Sequence, residues 1–477
     1  MNTSGIIYTF SLLMFFLVVF AFELSEYNAF AQDQPSPLGG MNFSKSQDVY
    51  SKDGVLQTAI SAAYHIGKVD NQPITSMVYN GSLGAPTLHV YPGDRIELDL
   101  INNLNESTNL HFHGFHVSPV NNSDNVFLEI APGKTQHYIV DIPKSHPPGV
   151  FWYHSHMHHL SYGQVSAGLS GIIVVEGIEK LLPEPLQNIA KQTFVIRDFP
   201  FDNLFVTTHI FSNTDASPQY RTVNGEINPD VNITSGETQL WRFANIGSEP
   251  FYKVGLPGHK FHVIAEDGSP VWKVWENNTL LLPPGKRFDV LVTATCNESI
   301  PLKTLNTAYY PQPSSTTGNE TTIATVNVQG NQKDHVKIIP TSLTSKKDLN
   351  IENIANYRVL NFTSNDKEWM YKINNKTFDA NRVDQKVKLG DVEQWKLINY
   401  ANDDNHPIHI HVNDFQVISV NGKPYDAKGL QDTVVLPASS EVVIRIPFED
   451  FVGKSVYHCH MMFHGDYGMM GTFEVVR

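Results

Sequence analysis

Cysteine is scarce in this sequence, because its 477 residues include only Cys296 and Cys459. Two cysteines cannot form the disulfide framework that holds many small secreted domains together. A large apolar core has to do this instead, and hydrophobic residues make up 41% of the chain. Cys296 is expected to be a buried, inert thiol, so only Cys459 calls for a further explanation.

Basic residues are also few, since 34 Lys and Arg stand against 48 Asp and Glu, which gives a formal net charge of -14. Nucleic-acid binding draws on clustered positive charge, and no basic run occurs along the chain. Nucleic acid is therefore excluded as an expected partner. Charged residues reach only 17%, and the plentiful Gly, Pro and aromatic residues favour turn-rich β structure over helical bundles.

One apolar stretch stands out near the N-terminus, from Ile6 to Phe22. The polar segment after it ends in Ala29-Phe30-Ala31, which is the small-x-small pattern that a signal peptidase cleaves. We interpret residues 1–31 as an export signal and residues 32–45 as a flexible N-terminal segment. An uncleaved membrane anchor is the alternative, since the stretch is close to the roughly 20 residues that a spanning helix needs.

Export is also favoured by ten N-x-S/T sequons after residue 31, which are typical of glycosylated surface loops. These sequons begin at Asn42, Asn80, Asn105, Asn121, Asn232, Asn277, Asn297, Asn319, Asn361 and Asn375. We expect a secreted glycoprotein, outside the cell, in a periplasm or at the cell surface, that requires no stable membrane partner.

An internal repeat organises the chain into three parts. Each copy pairs a Gly-acid turn with an Asn nine residues after the Gly, and short alternating segments around it predict half-buried antiparallel strands. The copies are Gly93-Asp94 with Asn102, Gly236-Glu237 with Asn245, and Gly390-Asp391 with Asn399. The sequence therefore predicts an all-β protein of three consecutive Greek-key β-sandwich domains, over residues 46–180, 181–334 and 335–477.

Histidines form four His-x-His pairs in the first and third repeats. On a strand, side chains at i and i+2 point to the same face, so each pair presents two imidazoles in one direction. Imidazole is a common copper ligand, and four such pairs predict one shared metal cluster. The pairs are His111 with His113, His154 with His156, His409 with His411, and His458 with His460.

Cys459 lies at the centre of the last pair. A Cys thiolate, two His and a long axial Met are the ligands of a blue copper site, and Cys459, His406, His464 and Met469 supply them. Because neighbours on a strand alternate in direction, Cys459 should face one copper while the histidines beside it face the cluster.

A single His-x-His pair would be weak evidence, since most histidines pack or lie at the surface. Here, ten of the 21 histidines fall in four short segments, so chance is a poor explanation. The middle repeat acts as an internal control, because it carries Phe251 to Val254 and Leu305 to Thr307 in the corresponding places. It is expected to bind no copper and to act as a spacer.

These four segments, in this order, resemble the signatures of the three-domain multicopper oxidases, a family that includes laccases, bilirubin oxidases and bacterial cuprous oxidases. The resemblance covers nearly all of the chain after the export signal and implies three cupredoxin-like domains with four copper ions. It implies that type 1 copper is held by His406, Cys459, His464 and Met469. It implies that type 2 copper is held by His111 and His409, and the type 3 pair by His113, His154, His156, His411, His458 and His460.

The resemblance also implies a mechanism. A reductant is oxidised at the type 1 copper, electrons pass through Cys459 to His458 and His460, and dioxygen is reduced by four electrons to water. Dioxygen reduction consumes protons, so a carboxylate near the cluster is expected, and Asp124 is the candidate. In the cuprous oxidases a Glu often follows the second type 1 His, whereas this chain has Gly465 and then Asp466.

Two substrate classes remain open. A laccase-like oxidase would take phenols or aromatic amines, and an axial Met predicts easily oxidised ones. A metallo-oxidase would take cuprous or manganous ions, which Asp403, Asp404 and the group Met461, Met462 and Met470 would suit. Only ten Met and no Met-rich insertion weigh against metal ions. Copper nitrite reductases, which usually have two domains, and non-catalytic copper carriers are more remote alternatives.

Overall fold

The computed structural model describes residues 43, 45–69, 72–200, 219–294, 298–307, 320–330, 339–349 and 353–477. The predicted export signal and most of the segment 32–45 lie outside these residues, as do Cys296 and the predicted boundary between residues 334 and 335. The described chain is built almost entirely from β-strands, so the all-β prediction is confirmed. None of the described helices is long and apolar enough to span a membrane.

The first group of described strands forms two sheets. Its strands are β1 Asp48–Tyr50, β2 Val55–Val69, β3 Gln72–Tyr79, β4 Thr87–Val90, β5 Arg95–Asn102, β6 His111–His113, β7 Thr135–Asp141, β8 Gly149–His154 and β9 Ser170–Val175. The sheet orders are β1-β4-β9-β8-β6 and β3-β2-β5-β7. Leu98 of one sheet and Ile173 of the other share the apolar core between them.

The second group also forms two sheets, after a 3-10 helix, Ile178–Leu181, that contains the predicted first domain boundary. Its strands are β10 Lys191–Pro200, β11 Gln219–Val223, β12 Asp230–Thr234, β13 Thr238–Asn245, β14 Tyr252–Gly255, β15 Phe261–Glu266, β16 Ser269–Asn277, β17 Thr279–Leu282, β18 Arg287–Thr293, β19 Ser299–Leu305 and β20 Thr321–Gln329. The sheet orders are β11-β10-β13-β18-β15-β16 and β12-β20-β19-β14-β17.

The third group completes the described chain with two more sheets. Its strands are β21 Asn356–Asn365, β22 Met370–Ile373, β23 Gln385–Lys388, β24 Val392–Asn399, β25 His406–Ile410, β26 Gln416–Val420, β27 Lys423–Pro424, β28 Thr433–Leu436, β29 Glu441–Pro447, β30 Gly453–Cys459 and β31 Met470–Val476. The sheet orders are β22-β21-β24-β29-β26-β27 and β23-β31-β30-β25-β28. Two short helices accompany the strands, α1 Ser161–Ala167 and α2 Met462–Asp466.

The repeated Gly and Asn have the same structural role in all three groups. Each Gly has a positive φ, which a turn of this kind requires. Each Asn ends a central strand, is buried, and accepts a hydrogen bond from the backbone N–H two residues later. Its amide also donates to carbonyl groups of the following loop; in the third group Asn399 reaches the Asp404 carbonyl at 2.8 Å. The repeat thus fixes the loop that leads into His406.

Strand β13 departs from the expected half-buried pattern, because every residue from Thr238 to Asn245 is buried. Its inner face contributes Trp241 and Phe243 to the core between its two sheets. Its outer face is covered by neighbouring groups; Ala244, for example, packs with Val150 and Met462. The outer face of β13 is therefore covered by residues from outside the middle sandwich, which a single strand pattern cannot reveal.

Candidate metal centre

Strand pairing brings the four His-x-His pairs together two by two. In the first sandwich β6 lies antiparallel to β8, which places His111 opposite His154. In the third sandwich β25 lies antiparallel to β30, which places His409 opposite His458. The other four histidines lie two residues further along each segment, and all eight are at most 6% exposed.

The pairs of the first and third sandwiches meet face to face. The ring of His111 stacks on His411, with centroids 3.9 Å apart, and His113 stacks on His409 at 3.8 Å. The Nδ1 of His113 lies 3.1 Å from the Nε2 of His460. The eight predicted cluster histidines therefore form one buried cluster from two distant parts of the chain.

A second group of close ring nitrogens lies in the same cluster as the contact between His113 and His460. The Nε2 of His458 is 3.2 Å from the Nε2 of His156 and 3.1 Å from the Nε2 of His411. Burial lowers the pKa of His154 and of His458 to about 3, so neutral rings are favoured. Neutral imidazoles at such distances direct lone pairs at a common point, which suits a shared cation.

Several buried ring nitrogens of the cluster have no hydrogen-bond partner. Leaving such a group unpaired costs about 1–3 kcal/mol, so each requires an explanation. Their chemistry fits copper, which imidazole nitrogen binds well. The atoms are His111 Nε2, His154 Nε2, His409 Nε2, His411 Nδ1 and His460 Nδ1.

Asp124 lies against the cluster. Its Oδ1 is 2.8 Å from His111 Nδ1 and accepts a hydrogen bond from the Phe112 N–H at 2.9 Å. Burial raises the pKa of Asp124 to about 8, more than the Phe112 hydrogen bond lowers it. By holding Nδ1, this carboxyl group leaves Nε2 of His111 directed at the cluster. The proton-relay role of Asp124 stays a prediction.

Asp432 is a second acid at the cluster, which sequence reasoning missed. Its Oδ1 lies 3.3 Å from His113 Nε2, and its backbone carbonyl accepts from His409 Nδ1 at 2.8 Å. Burial alone would raise the pKa of Asp432, but Arg287 and His409 outweigh it and hold the pKa below its usual range. The only local feature of the sequence that could have pointed to Asp432 is its place as an acid just before the apolar strand β28.

Cys459, His406 and His464 form a separate group. The Cys459 Sγ lies 3.6 Å from Nδ1 of both His406 and His464, and those two nitrogens are 3.3 Å apart. Met469 is fully buried, and its backbone carbonyl accepts from the Cys459 N–H at 3.0 Å. Burial raises the pKa of the Cys459 thiol, so a bound cation is needed to favour the thiolate.

The two groups lie on opposite sides of β30. Cys459 packs in the apolar core of the third sandwich with Ile408 and Met469. The residue before it, His458, faces His156, and the residue after it, His460, faces His113. One peptide unit on each side of Cys459 therefore connects the two sites.

Aromatic rings cover the Cys459 group on its outer side. Tyr371 stacks on His464, with centroids 4.3 Å apart, and its hydroxyl donates to Asp366 at 2.9 Å. Trp369 is 39% exposed and contacts Phe463. Its φ of 48° is one that bulky residues rarely adopt. This aromatic face was not predicted, because its turn lies far from the histidine motifs in sequence.

Acidic residues also lie near this face. The Oδ2 of Asp404 is 3.7 Å from His406 Nδ1 and 3.7 Å from His464 Nε2, whereas Asp403 is exposed. Asp466 accepts hydrogen bonds from the N–H groups of His159 and Tyr162, so it holds the start of α1. The three methionines of the metal hypothesis, Met461, Met462 and Met470, are buried among apolar residues.

The middle sandwich also contacts the cluster. Gly285 has a φ of 88°, and a Cβ there would lie 3.2 Å from His113 Cε1 and 3.3 Å from His460 Cδ2. Lys286 donates to the Thr433 carbonyl at 3.0 Å, and Arg287 donates to Asp432 at 2.9 Å. The middle domain therefore does more than separate its neighbours.

Three β-sandwiches, a buried Cys-His-His group and an adjoining eight-histidine cluster define a copper-dependent oxidoreductase. Models of the multicopper oxidase family match residues 62–180, 202–300 and 349–477, which together make up most of the chain. The chain belongs to the multicopper oxidase family, and the predicted cupredoxin-like fold is confirmed.

Known proteins show the same relationship along nearly the whole chain. The chain is 28% identical over 414 residues to a multicopper oxidase of Staphylococcus haemolyticus, covering 84% of this chain and 83% of that protein. It is 24% identical over 477 residues to a laccase of Bacillus subtilis, covering 85% and 91%. A solved multicopper oxidase from Campylobacter jejuni, described as a metallo-oxidase, has a TM-score of 0.77 at 25% identity, covering 94% and 99%.

Proposed function

We propose that this multicopper oxidase takes single electrons from a small aromatic reductant, a phenol or an aromatic amine, and reduces dioxygen to water. One observation carries the proposal. Cys459 lies beside His406 and His464 on one side of β30, while both of its chain neighbours face the histidine cluster. This arrangement joins an electron-accepting site to a dioxygen-reducing site through a few covalent bonds.

Four copper ions fit the side chains present. The type 1 site would use His406, Cys459, His464 and Met469. The type 2 site would use His111 and His409, and the type 3 pair His113, His154, His156, His411, His458 and His460. Bound copper supplies one-electron oxidation at the first site and four-electron reduction of dioxygen at the cluster.

Residues around the cluster hold the ligands and manage protons. Asp124 orients His111, and we assign it the proton relay because it is buried against the cluster and its second oxygen has no partner. Asp124→Asn should slow dioxygen reduction by about 100-fold or more, the contribution typical of a positioned proton donor. Bleaching of the blue absorption by reductant without dioxygen should keep its wild-type rate. Slowing of both steps would instead indicate a purely structural role.

The aromatic face supports an aromatic reductant. Trp369 is exposed at the turn beside the Cys459 group, and Tyr371 lies between that turn and His464. An exposed Trp in a disfavoured backbone conformation is a candidate binding surface, and aromatic rings stack on one another with favourable energy. A reductant there would approach the His464 side of the copper site without entering the core.

Metal-ion oxidation is the second candidate, and Asp404 favours it. Its Oδ2 has no hydrogen-bond partner and lies 3.7 Å from two predicted copper ligands. Carboxylates at this position would attract a cuprous or manganous ion. Asp404→Asn should then lower oxidation of metal ions while leaving oxidation of a neutral phenol nearly unchanged.

Location is proposed from the sequence alone. The predicted export signal over residues 1–31 and the ten sequons support a secreted or cell-surface glycoprotein. Mass spectrometry of the protein from its native source would test this. An N-terminus at Gln32 with glycosylated Asn residues is expected, and an intact Met1 without glycans would contradict the proposal.

Oxygen consumption by the copper-loaded protein is the deciding experiment. A phenol, an aromatic amine, cuprous ion and manganous ion are offered separately, and nitrite is tested as an alternative acceptor. Oxygen uptake matched to phenol or amine oxidation supports the proposal, and uptake with metal ions alone supports the second candidate. Absence of uptake with every reductant, despite bound copper and blue absorption, would overturn both.

A further inference from the structure

Arg287 of the middle sandwich contacts all three sandwiches. It is completely buried. Its Nε donates to the Val150 carbonyl of the first sandwich at 3.2 Å, and its Nη2 donates to the Asp267 carbonyl of its own sandwich at 2.9 Å. Its guanidinium faces Asp432 of the third sandwich: Nη1 donates a hydrogen bond to Oδ1 at 2.9 Å, and Nη2 lies 2.7 Å from Oδ2 as an ion pair without hydrogen-bond geometry.

One hydrogen bond and one close ion pair hold the Asp432 carboxylate against the guanidinium. A guanidinium offers its donors in a rigid fork that matches both oxygens of a carboxylate, which an ammonium group cannot do. The hydroxyl of Thr433 adds a hydrogen bond to Oδ1 at 2.8 Å. Asp432 is thus held from two directions, and the fork comes from a domain in which no copper ligand is predicted.

Asp432 in turn determines how two cluster histidines present their nitrogens. Its Oδ1 lies 3.3 Å from Nε2 of His113. Because a carboxylate only accepts, Nε2 of His113 has to carry the proton, which leaves Nδ1 free toward His460. Oδ1 of the Asp432 carboxylate also lies 3.6 Å from Nδ1 of His409, and the Asp432 backbone carbonyl accepts from the same nitrogen at 2.8 Å, which leaves Nε2 of His409 free.

The other cation at this place does not replace Arg287. Lys286 is also buried, but its ammonium group lies 2.6 Å from Glu266 and 2.9 Å from Asp267. It therefore balances acids of the middle sandwich and reaches the third only through Gln431 and the Thr433 carbonyl. Asp432 depends on Arg287 for its counter-charge.

We propose that Arg287 is a positioning residue for the copper cluster: it sets the orientation of Asp432, and through it the free nitrogens of His113 and His409. The inference rests on the proposed copper sites. It assigns the middle domain a part in the chemistry of the cluster, without any ligand of its own.

The test compares two substitutions of buried arginines in the copper-loaded full-length protein. Arg287→Lys keeps the charge but removes the fork. Arg242→Lys is the matched control, because Arg242 is equally buried in the same domain and lies near Asp289 and Glu176 instead of a cluster residue. Copper content, blue absorption and the type 2 electron paramagnetic resonance signal are measured, with thermal unfolding to compare stability.

Arg287→Lys is expected to weaken copper binding by the cluster about 10- to 100-fold against a chelator. It should change the hyperfine splitting of the type 2 signal, with blue absorption unchanged. Arg242→Lys should leave the copper affinity of the cluster and the type 2 signal as in the wild type, even if it destabilises the protein as much as Arg287→Lys does. Equal copper affinity and an unchanged type 2 signal in Arg287→Lys would overturn the inference.

Asp432→Asn provides a second test from the other side of the pair, and it remains decisive if Arg287→Lys does not fold. It should produce the same change in the type 2 signal, and a wild-type signal in this variant would also overturn the inference. Failure of the proposed function has a different signature, since the wild-type protein itself would then lack a type 2 signal or oxygen uptake.

Discussion

The middle and third sandwiches have the same topology and different contents. In both, the five-stranded sheet begins with a parallel pair of strands, and its remaining strands are antiparallel. The strand order is β12-β20-β19-β14-β17 in the middle sandwich and β23-β31-β30-β25-β28 in the third. Their six-stranded sheets also correspond strand by strand. The strands that carry His406 and Cys459 in the third sandwich therefore have counterparts, β14 and β19, in the middle one.

The strand register defines which residues correspond. The repeated Asn donates to the Leu282 carbonyl in the middle sandwich and to the Leu436 carbonyl in the third. Tyr252 pairs with Leu282 as His406 pairs with Leu436. Counting along both strand pairs, the middle counterparts of His406 and Cys459 are Tyr252 and Thr304. The segment that corresponds to 458–460 is therefore 303–305, two residues before the 305–307 expected from the sequence.

A buried ion pair occupies this place in the middle sandwich. Arg221 donates to Thr304 Oγ1 at 2.6 Å and to Asp198 at 2.8 Å, and the Tyr252 hydroxyl donates to Asp198 at 3.0 Å. One fold therefore carries either a Cys-His-His group or an Arg-Asp pair at the same point. The sandwich therefore forms without a Cys-His-His group, and the predicted copper ligands are a separable addition to it.

Removing a ligand from the third sandwich should have the largest effect. We expect His409→Ala to abolish oxygen uptake while blue absorption persists, because the Cys459 group is intact. Cys459→Ser should abolish both. Absorption spectra and an oxygen electrode measure the two properties, and continued uptake by His409→Ala would show that the cluster is wrongly assigned.

Breaking the ion pair of the middle sandwich should affect stability alone. Arg221→Met leaves Asp198 buried without its partner, which costs about 3–5 kcal/mol in the free energy of unfolding. Urea denaturation measures this change, and copper content and blue absorption of the folded variant serve as the control. Loss of copper from the folded variant would contradict the separation of fold and ligands.

Filling the space at Gly285 should have a smaller effect. Gly285→Ala places a methyl group against His113 and His460, and overpacking of this kind costs about 1–3 kcal/mol. Gly258→Ala is the matched control, since Gly258 also has a positive φ and a Cβ there has nothing within 4 Å. Thermal unfolding and the cluster spectrum should both change more in Gly285→Ala. Equal changes in the two variants would mean that the contact of Gly285 with the histidines affects neither stability nor the cluster.

Changing the aromatic face should have the smallest effect. Trp369→Leu removes the exposed ring, and we expect kcat/KM for phenols and aromatic amines to fall about two- to tenfold. Oxidation of a metal-complex reductant should be unaffected. Tyr357→Leu is the control, because Tyr357 is 67% exposed in the same sandwich. A change that is equal for every reductant would point to a general loss of stability.

Strand alternation converts spacing into direction, so the sequence predicts which histidines lie together and that Cys459 faces the other way. It does not reveal Asp432 or Arg287, which lie 319 and 174 residues from His113 and have no motif around them. It also misjudges β13, since burial of a second face depends on the neighbouring sandwiches. Local pattern gives the strands and the candidate ligands, whereas contacts between domains come only from the assembled fold.

The division of the cluster between the first and third sandwiches would give bound copper a structural role. His156 meets His458 and His113 meets His460, although the residues of these pairs are separated by 302 and 347 positions in the sequence. A metal held by both ends would close a loop of this length, much as a disulfide does, and such a cross-link can stabilise a fold by about 5 kcal/mol. In a chain with two cysteines, copper would then cross-link the first and third sandwiches. Its removal would lower the stability of the fold as well as inactivate the protein.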